Sequence, residues 1–544
     1  MKHRNGGDLV IETLTALGAR TVFGIPGQHA LGLFDALSRA ELTYVSSRVE
    51  NNAAFAADGY ARAVGQVGVL FLSTGPGALT SLAGLQEAYA TGVPMVVVAS
   101  QIPLSGLGAR RKGMLHQLDD QKASAQNVTK AQFSVHHASG IPSAIQDAWA
   151  AAVTVPQGPV WVEVPQDVLL GAVMVPPVVD ALAVPYDHPP RAELVQESVR
   201  WLAASRRTAI VAGGGVRRST HHAQQHLLAV AELLDAPVVC TPGGNSAFPW
   251  DHPLSLGSWV EDRHVTDLLE DAEVLLVVGS SLGEVTSNYF TLVPRGRLIQ
   301  VDAEPRVLES NFPTLGVRAD AGQALSALAD ALAGVKASDW HGRTAAEAVA
   351  EVNARVAARL DAQDLGRERR FMADLRAAVP GRMQTYWDMT IAAYWGWNCW
   401  DAQSGQFHSA QGAGGLGYAF PAAIGGALGL GERTLAVAGD GSAMYSIAEL
   451  ASAVQHSADV TWLIVDDGGY GILREYMEGA FGRATATELH RPDFVSLARS
   501  FGVPAEEVSV DQVGPALSRT LAQKGPAVVV VKTLLRMWEP SHLG

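Results

Sequence analysis

Asp440 and Asp467 are the residues whose type and spacing could most directly do chemistry. Each follows a short apolar run, Leu435 to Ala438 and Val460 to Val465, and each sits beside glycine, in Gly-Asp-Gly-Ser at 439–442 and Asp-Asp-Gly-Gly at 466–469. Between the runs, Ile447, Leu450, Ala451 and Val454 recur at helical spacing. The stretch from Thr434 to Met477 therefore predicts strand, tight Gly-Asp-Gly turn, helix, second strand, acidic loop and a further helix. Such a βαβ unit ends both strands on one side, beside helix amino termini that attract anions. The two carboxylates, 27 positions apart, can then converge on one hard cation. An octahedral Mg²⁺ held by one or two carboxylates, a backbone carbonyl and phosphate oxygens is the matching chemistry. Gly441, Gly468 and Gly469 let the backbone approach a diphosphate closely. Either loop alone reads equally as an ordinary turn; the two together at successive strand ends favour a metal and diphosphate site.

These residues need a large scaffold. At 544 residues the chain exceeds one core and implies two or three domains. Its 48% hydrophobic and 17% charged composition is that of a globular protein. A formal net charge of −14 argues against a nucleic-acid-binding surface. Cys240 and Cys399 alone cannot make a disulfide framework. The opening MKHRNGGDLVIETL has basic residues without an apolar segment after them, and no apolar run approaches membrane-spanning length. A cytoplasmic enzyme without a membrane partner is the expectation.

From Gly7 to about Leu170 helix and strand patterns alternate: Asp8–Leu17, Thr21–Phe23, Gly27–Ser38, Thr43–Ser46, Asn51–Val64, Val67–Phe71, Ala78–Ala90 and Met95–Ser100. Proline-rich sequence from Val175 to Pro190 reads as a linker. A second layered region follows from about Arg191 to Leu332, with strands at Thr208–Val211, Pro237–Cys240, Val274–Val278 and Leu298–Val301. The charged stretch Thr344 to Ala378 reads as a helical connector with a solvated face. A third region starts near Met383 and ends with a strand at Val528–Val531. The expected fold class is α/β, three doubly wound parallel-sheet domains at 1–175, 191–335 and 380–544.

Glu50, in SSRVENNAAFAADGYARA, stands at a strand-to-helix junction, where on its own it could be an ordinary helix N-terminal charge. Its surroundings, with GDGS, an apolar strand and DDGGYG, resemble the thiamine-diphosphate-dependent enzymes, in the branch of acetolactate synthase and benzoylformate decarboxylase. The GIPG and STGPGA turns and HSAQGAGGLGYAFPAAIGGALG also match, and the resemblance covers nearly the whole chain. It implies pyrimidine-binding, middle and diphosphate-binding domains, with thiamine diphosphate and Mg²⁺ as cofactors. Asp466-Asp467 replaces the family's usual asparagine pair, adding a negative charge at the metal-ligand position.

By position, the resemblance assigns Asp440, Asp467 and the Gly469 carbonyl to the metal. Glu50 would bond N1′ of the aminopyrimidine and relay the proton whose removal generates the ylide. The Gly414 carbonyl and Leu416 N–H would hold the aminopyrimidine, with the Leu416 side chain beneath the bent cofactor. Gly27, Thr390, Gly439, Gly441, Ser442, Tyr470 and Gly471 would complete the cofactor site. His116, in the polar loop 112–121, could donate to a substrate carboxylate or shuttle a proton, or be a surface histidine. Leu473 and Tyr476 would face the substrate. Trp387, Trp395, Trp397 and Trp400 read as core or subunit interface. FAD is not expected, because Ser280–Val285 replaces the arginine-bearing loop of the FAD-binding members.

The implied reaction is attack of the ylide on a small 2-oxo acid, loss of CO₂ and an enamine. Family likeness favours acetolactate-synthase-like carboligation. Leu416, Tyr476, the missing FAD loop, and Ile391 and Ala392 in place of glutamine and histidine favour an aldehyde-releasing decarboxylase of the benzoylformate or 5-guanidino-2-oxopentanoate type. A catalytically silent cofactor-binding or regulatory subunit is a reading of another class, against which Glu50, Asp440 and Asp467 all stand intact. The family's active site forms between subunits, so self-association into a homodimer or homotetramer is expected.

Overall fold

Short apolar runs bounded by glycine or proline, such as Val460–Asp466 and Met95–Gln101, are buried along their whole length, as strands covered on both faces must be. The computed structural model describes residues 4–332 and 338–541. The first sheet contains β1 (Thr21–Gly24), β2 (Thr43–Ser46), β3 (Gly68–Leu72), β4 (Met95–Gln101), β5 (Ala131–Ser134) and β6 (Pro159–Pro165), in the order β2-β1-β3-β4-β6-β5. The second has β7 (Thr208–Ala212), β8 (Val238–Cys240), β9 (Val274–Val278), β10 (Arg297–Asp302) and β11 (Leu315–Arg318), ordered β11-β10-β9-β7-β8. The third comprises β12 (Gln384–Trp387), β13 (Gln406–Ser409), β14 (Thr434–Gly439), β15 (Val460–Asp466), β16 (Ala505–Val508) and β17 (Ala527–Lys532), ordered β13-β12-β14-β15-β17-β16. Every pairing within these sheets is parallel. The expectation of three parallel-sheet α/β domains holds. Counted from its own first strand, the third sheet repeats the strand order of the first.

The outer sheets are joined through helices. Helix Glu50–Val64 of the first region packs on helix Ala419–Leu430 of the third. Both sequences are rich in alanine and glycine, so the backbones nearly touch. A Cβ on Gly59 would lie 2.1 Å from the Ala422 carbonyl oxygen, and one on Gly425 1.9 Å from that of Ala56. Polar groups secure the same seam: the Arg62 guanidinium donates to Asp58, Glu87 and Thr91, Tyr418 donates to Asp58, and Glu87 accepts the amides of Gly412 and Ala413. Gly425→Ala should force the two helices apart, at a cost of about 1–3 kcal/mol by analogy with overpacked cores. Urea denaturation of the variant against the parent chain checks this; an unchanged midpoint would show that the seam can relax.

Several local expectations change. The helix carrying Ile447 to Val454 is two short helices, Asp440–Ser446 and Glu449–Gln455, and Val454 is 41% exposed, outside the core. Residues Thr344 to Ala378 form two helices, Ala345–Asp361 and Gly366–Ala378, with Val349, Val352, Val356 and Leu360 buried along the first. Most of its charges lie on the other face, but Arg359 turns inward to pair with the buried Asp262 at 2.7 Å. Ser81 interrupts the expected helix Ala78–Ala90, giving Pro76–Thr80 and Leu82–Thr91. The four tryptophans from Trp387 to Trp400 are buried in the core of the single chain.

Candidate active site

The site begins where the third sheet changes direction. The chain runs from β12 to β13 on one side and continues as β14 and β15 on the other, a topological switch point with a crevice at the carboxyl ends of the strands. After β12, Thr390 precedes helix Ile391–Cys399 in extended conformation. Gly439 ends β14, and Asp440 is the first residue of the following helix rather than the middle of a separate turn. β15 ends at Asp466, and Asp467 through Tyr470 lead into helix Gly471–Phe481. Thr390 and Gly439 touch, for a Cβ on that glycine would lie 3.0 Å from the threonine methyl. Behind them, Asp388 accepts the amides of Tyr418 and Ala419 at 2.6 and 3.0 Å, and Ser442 Oγ accepts that of Gly417 at 2.9 Å.

The electrostatics of this crevice are unbalanced. Both Asp440 carboxylate oxygens, Asp467 Oδ1 and Thr390 Oγ1 are buried without a hydrogen-bond partner. Burial raises the Asp440 pKa, and the neighbouring Asp466 carboxylate adds to it. Asp467 is pushed up to about 7, by burial first and then by Asp440. Buried carboxylates left in this state are costly unless a cation meets them. Partial relief comes from Arg491, whose guanidinium pairs with Asp466 and lies 3.9 Å from Asp440 Oδ2. The sequence reading missed Arg491, which lies in a polar loop 24 residues beyond Asp467, and nothing local marks it.

The glycines keep this geometry open. A Cβ on Gly471 would lie 2.0 Å from Asp467 Oδ2, and one on Gly441 2.9 Å from the Tyr470 ring. Gly469, at φ 153°, has the Thr487 carbonyl 2.0 Å from its own Cβ position. Among the described residues no three His, Cys, Asp or Glu side chains converge as a metal-binding group. Two hard carboxylates therefore leave the other positions of an octahedron to backbone, water or phosphate oxygen, which suits Mg²⁺. A cation bound here would displace the proton on Asp467. The unfolded chain ionises this group near pH 4, whereas the fold retains its proton until about pH 7. The metal-free fold should therefore lose stability as pH rises through that window, while affinity for Mg²⁺ with a diphosphate should climb by up to about tenfold per pH unit and flatten above 7. Titration calorimetry between pH 5.5 and 8 measures the slope; a flat profile would contradict the raised pKa.

A second wall lies in the first domain. Glu50 opens its helix, and the amides of Arg48 and Val49 donate to Glu449 Oε1 at 2.9 and 3.3 Å, which fixes the helix start against the third domain. Glu50 Oε1 is 3.2 Å from the Cβ position of Gly77. Gly75, at φ 68°, is pressed by the His116 backbone, and the Gly27 Cβ position is 2.2 Å from Ser73 Oγ. The His116 ring meets His29 edge-to-face at 5.6 Å. His29 Nδ1, His116 Nδ1 and Ser73 Oγ are all buried without partners. Burial lowers the His29 pKa, and His116 lowers it further. His116 is thus half-buried in a pair, and His29 and Ser73 are residues the sequence reading passed over. His29, within GIPGQHAL, had the signal of a histidine three residues after a turn proline.

The loop between the walls holds Gly414, at φ 68°, and the half-buried Leu416, with Gly415 against the Phe55 ring. Leu473 and Tyr476 are 50% and 48% exposed on helix Gly471–Phe481. Among the described residues, no hydrogen bond or ion pair joins Glu50, Gly27 or His116 to Asp440 or Asp467 in the single chain. No described helix is long and apolar enough to cross a membrane.

Residues 4–124 match the model for the thiamine pyrophosphate enzyme N-terminal TPP binding domain, 195–328 that for the central domain and 388–531 that for the C-terminal TPP binding domain. Along the whole chain it is 30% identical to "Probable 2-ketoarginine decarboxylase" of Pseudomonas aeruginosa over 537 residues, 98% of this chain and 94% of that protein. The chain belongs to the thiamine pyrophosphate enzyme family. This thiamine pyrophosphate enzyme is also 29% identical to "Probable acetolactate synthase large subunit" of Methanocaldococcus jannaschii, over 96% of this chain and 90% of the other. It is 27% identical to the acetolactate synthase isozyme 3 large subunit of Escherichia coli, over 94% and 90%. A solved structure described as a thiamin diphosphate-dependent enzyme from Mycobacterium smegmatis shares its fold, with a TM-score of 0.81 at 24% identity, covering 98% of this chain and all of that one. The unpartnered Asp440, Asp467 and Thr390 oxygens are a donor set that fits a metal-bound diphosphate.

Proposed function

We propose that this protein decarboxylates a small 2-oxo acid, using thiamine diphosphate anchored through Mg²⁺. The observation that carries the reading is the pair of buried, unpartnered carboxylates at Asp440 and Asp467 beside the unpartnered Thr390 hydroxyl. Asp440, Asp467 and the Gly469 carbonyl hold the metal. Thr390, Gly439, Gly441, Ser442, Tyr470 and Gly471 surround the diphosphate, and the Gly414 carbonyl and Leu416 N–H hold the aminopyrimidine. Gly27 leaves room for the cofactor at the first-domain wall. When bound, thiamine diphosphate supplies the carbanion that attacks the oxo carbon and accepts the electron pair released with CO₂. Glu50 holds a proton at N1′. Leu416 supports the cofactor from below, and Leu473 and Tyr476 border the substrate. We take the pyrimidine-binding, middle and diphosphate-binding domains as 1–175, 191–335 and 380–544; residues 1–3, 333–335 and 542–544 of these spans lie outside the described residues. The reading includes no FAD, because Ser280–Val285 offers no arginine.

Among the described residues, the first-domain wall and the metal loops share no hydrogen bond or ion pair in one chain. A homodimer that places the wall of one subunit over the metal loops of the other completes the site, and a cytoplasmic homo-oligomer is the proposed form. The His29 and His116 pair, with buried unpartnered nitrogens, supports protonation of the carbon left after CO₂ departs, giving an aldehyde. Carboligation to a second 2-oxo acid is the second reading, supported by the acetolactate synthase relatives.

A CO₂-release screen of the protein with thiamine diphosphate and Mg²⁺ tests both. Pyruvate, 2-oxobutyrate, benzoylformate, branched 2-oxo acids and 5-guanidino-2-oxopentanoate are offered, with products identified by mass. An aldehyde is expected; acetolactate from pyruvate would establish carboligation, and no CO₂ from any of them would overturn the decarboxylase reading.

A further inference from the structure

Helix Gly471–Phe481 carries Tyr476 about 7.5 Å along its axis from Gly471. Tyr476 is half exposed, and its hydroxyl interacts with that of Tyr394. Tyr394 lies on helix Ile391–Cys399, one turn beyond Thr390, and Asn398 follows one turn later. Asn398 Nδ2 donates to the Tyr394 carbonyl and, at 3.2 Å, to Glu261 Oε2 of the middle domain. Tyr289 donates its hydroxyl to Glu261 Oε1 at 3.1 Å. The middle domain bends sharply to present that phenol: Asn288, Tyr289 and Phe290 all have positive φ, at 48°, 58° and 60°, an unusual run for non-glycine residues.

Three features of this cluster are unexplained by the chemistry above. Glu261 is only 6% exposed yet forms no ion pair with any described residue. Asn398 is 1% exposed, and its Oδ1 has no partner although its amide plane already faces Glu261. Three phenol groups, from Tyr289, Tyr394 and Tyr476, feel the charge of this carboxylate, and Tyr289 donates to it directly. A buried carboxylate without a cation is costly. A carboxylate and an unpartnered amide oxygen together form the donor-seeking environment that suits a guanidinium or ammonium. Thr390 and Asn398 are separated by about 12 Å of helix, and Tyr476, half exposed, lies on the helix that follows the acidic loop.

We propose that Glu261 and Asn398, walled by Tyr289, Tyr394 and Tyr476, form a subsite for a cationic side-chain terminus, so that the substrate is a 2-oxo acid bearing a distal guanidinium or ammonium group. The proposal rests on the decarboxylase reading and deepens it. Glu261 pairs with the cation, Asn398 Oδ1 accepts one of its remaining N–H groups, and the phenols exclude water around the pair. Neutral 2-oxo acids of equal length leave Glu261 without its counterion.

The test compares 5-guanidino-2-oxopentanoate with its neutral isostere 5-ureido-2-oxopentanoate and with 2-oxohexanoate, using the holoenzyme with thiamine diphosphate and Mg²⁺. The parent protein should prefer the guanidino acid over the ureido acid by about thirtyfold or more in kcat/KM. Glu261→Gln should reduce that preference to within about threefold, chiefly through a raised KM for the guanidino acid; Glu261→Asp should restore part of it. A preference for the neutral acids, or a ratio unchanged in Glu261→Gln, overturns the subsite. A second readout needs no turnover: 5-guanidinopentanoate should raise the melting temperature of the parent protein more than hexanoate does, and Tyr289→Phe should shrink the difference. If that difference is found but no 2-oxo acid releases CO₂, the decarboxylase reading falls and the cation subsite stands. Decarboxylation without any thermal discrimination has the opposite meaning.

Discussion

Asp440→Asn should lower turnover by about three orders of magnitude or more while leaving the metal-free protein at least as stable as its parent at pH 8. The first half follows from removing a charged ligand of a Mg²⁺ that anchors a diphosphate; losses of this size accompany removal of charge-stabilising groups from preorganised sites. The second half follows from the structure. Both Asp440 oxygens are buried without partners, and its ionised form is disfavoured by burial and by Asp466. An amide removes that charge, so the empty site relaxes. Thermal melts with and without thiamine diphosphate and Mg²⁺ separate the effects. The parent should be stabilised by the pair, Asp440→Asn should not, and their melting temperatures without ligand should be equal or favour the variant. A variant that unfolds without ligand would make Asp440 a structural residue instead.

Glu50→Gln should cost about two to four orders of magnitude in turnover, the range of a lost general acid or base, with metal and diphosphate binding retained. Glu50 opens a helix whose start is held by the Arg48 and Val49 amides on Glu449. The substitution therefore leaves the backbone in place and removes only the ionisable group. Calorimetric titration of thiamine diphosphate with Mg²⁺ should give nearly the parent affinity, while exchange of the C2 proton of the bound cofactor should slow in parallel with turnover. Full turnover in Glu50→Gln would remove Glu50 from the proton relay, whatever the fate of Asp440.

The two predictions divide along domain lines, Glu50 in the first sheet's domain and Asp440 in the third's. This separation explains what each wall can do alone. In the proposed reading the carboxylates with Thr390 would hold the metal and diphosphate, while Glu50, His29, His116 and Ser73 line the first-domain wall. Neither set is joined to the other by a hydrogen bond or ion pair among the described residues, and the homodimer proposed above is the arrangement that would bring the two together.

Much of this was legible in the linear sequence because the signals are local. Parallel strands buried on both faces leave apolar runs, and glycine must stand where backbone approaches backbone or ligand closely. The runs around 435–439 and 460–466 and the glycines after Asp440 and Asp467 therefore announced the crevice, and GDGS with DDGGYG pointed to the family. The break between Asp440–Ser446 and Glu449–Gln455 was not legible, since an apolar period of three to four continues across it. Only tertiary packing decides that Leu450 is buried and Val454 exposed.

What the sequence by itself determined, then, is the α/β class, the three parallel-sheet layers and the motif-bearing strand ends, each encoded within a few dozen residues. Only the tertiary structure decided the partners. It brought Arg491 to Asp440 and Asp466, His29 to His116, and Glu261 of the middle domain to Asn398 of the third. Those groups lie 25 to 137 residues apart along the chain, and no local period or propensity links them. Their charges and burial take effect only when separate sheets close on one another, because the water that would screen them is excluded only then.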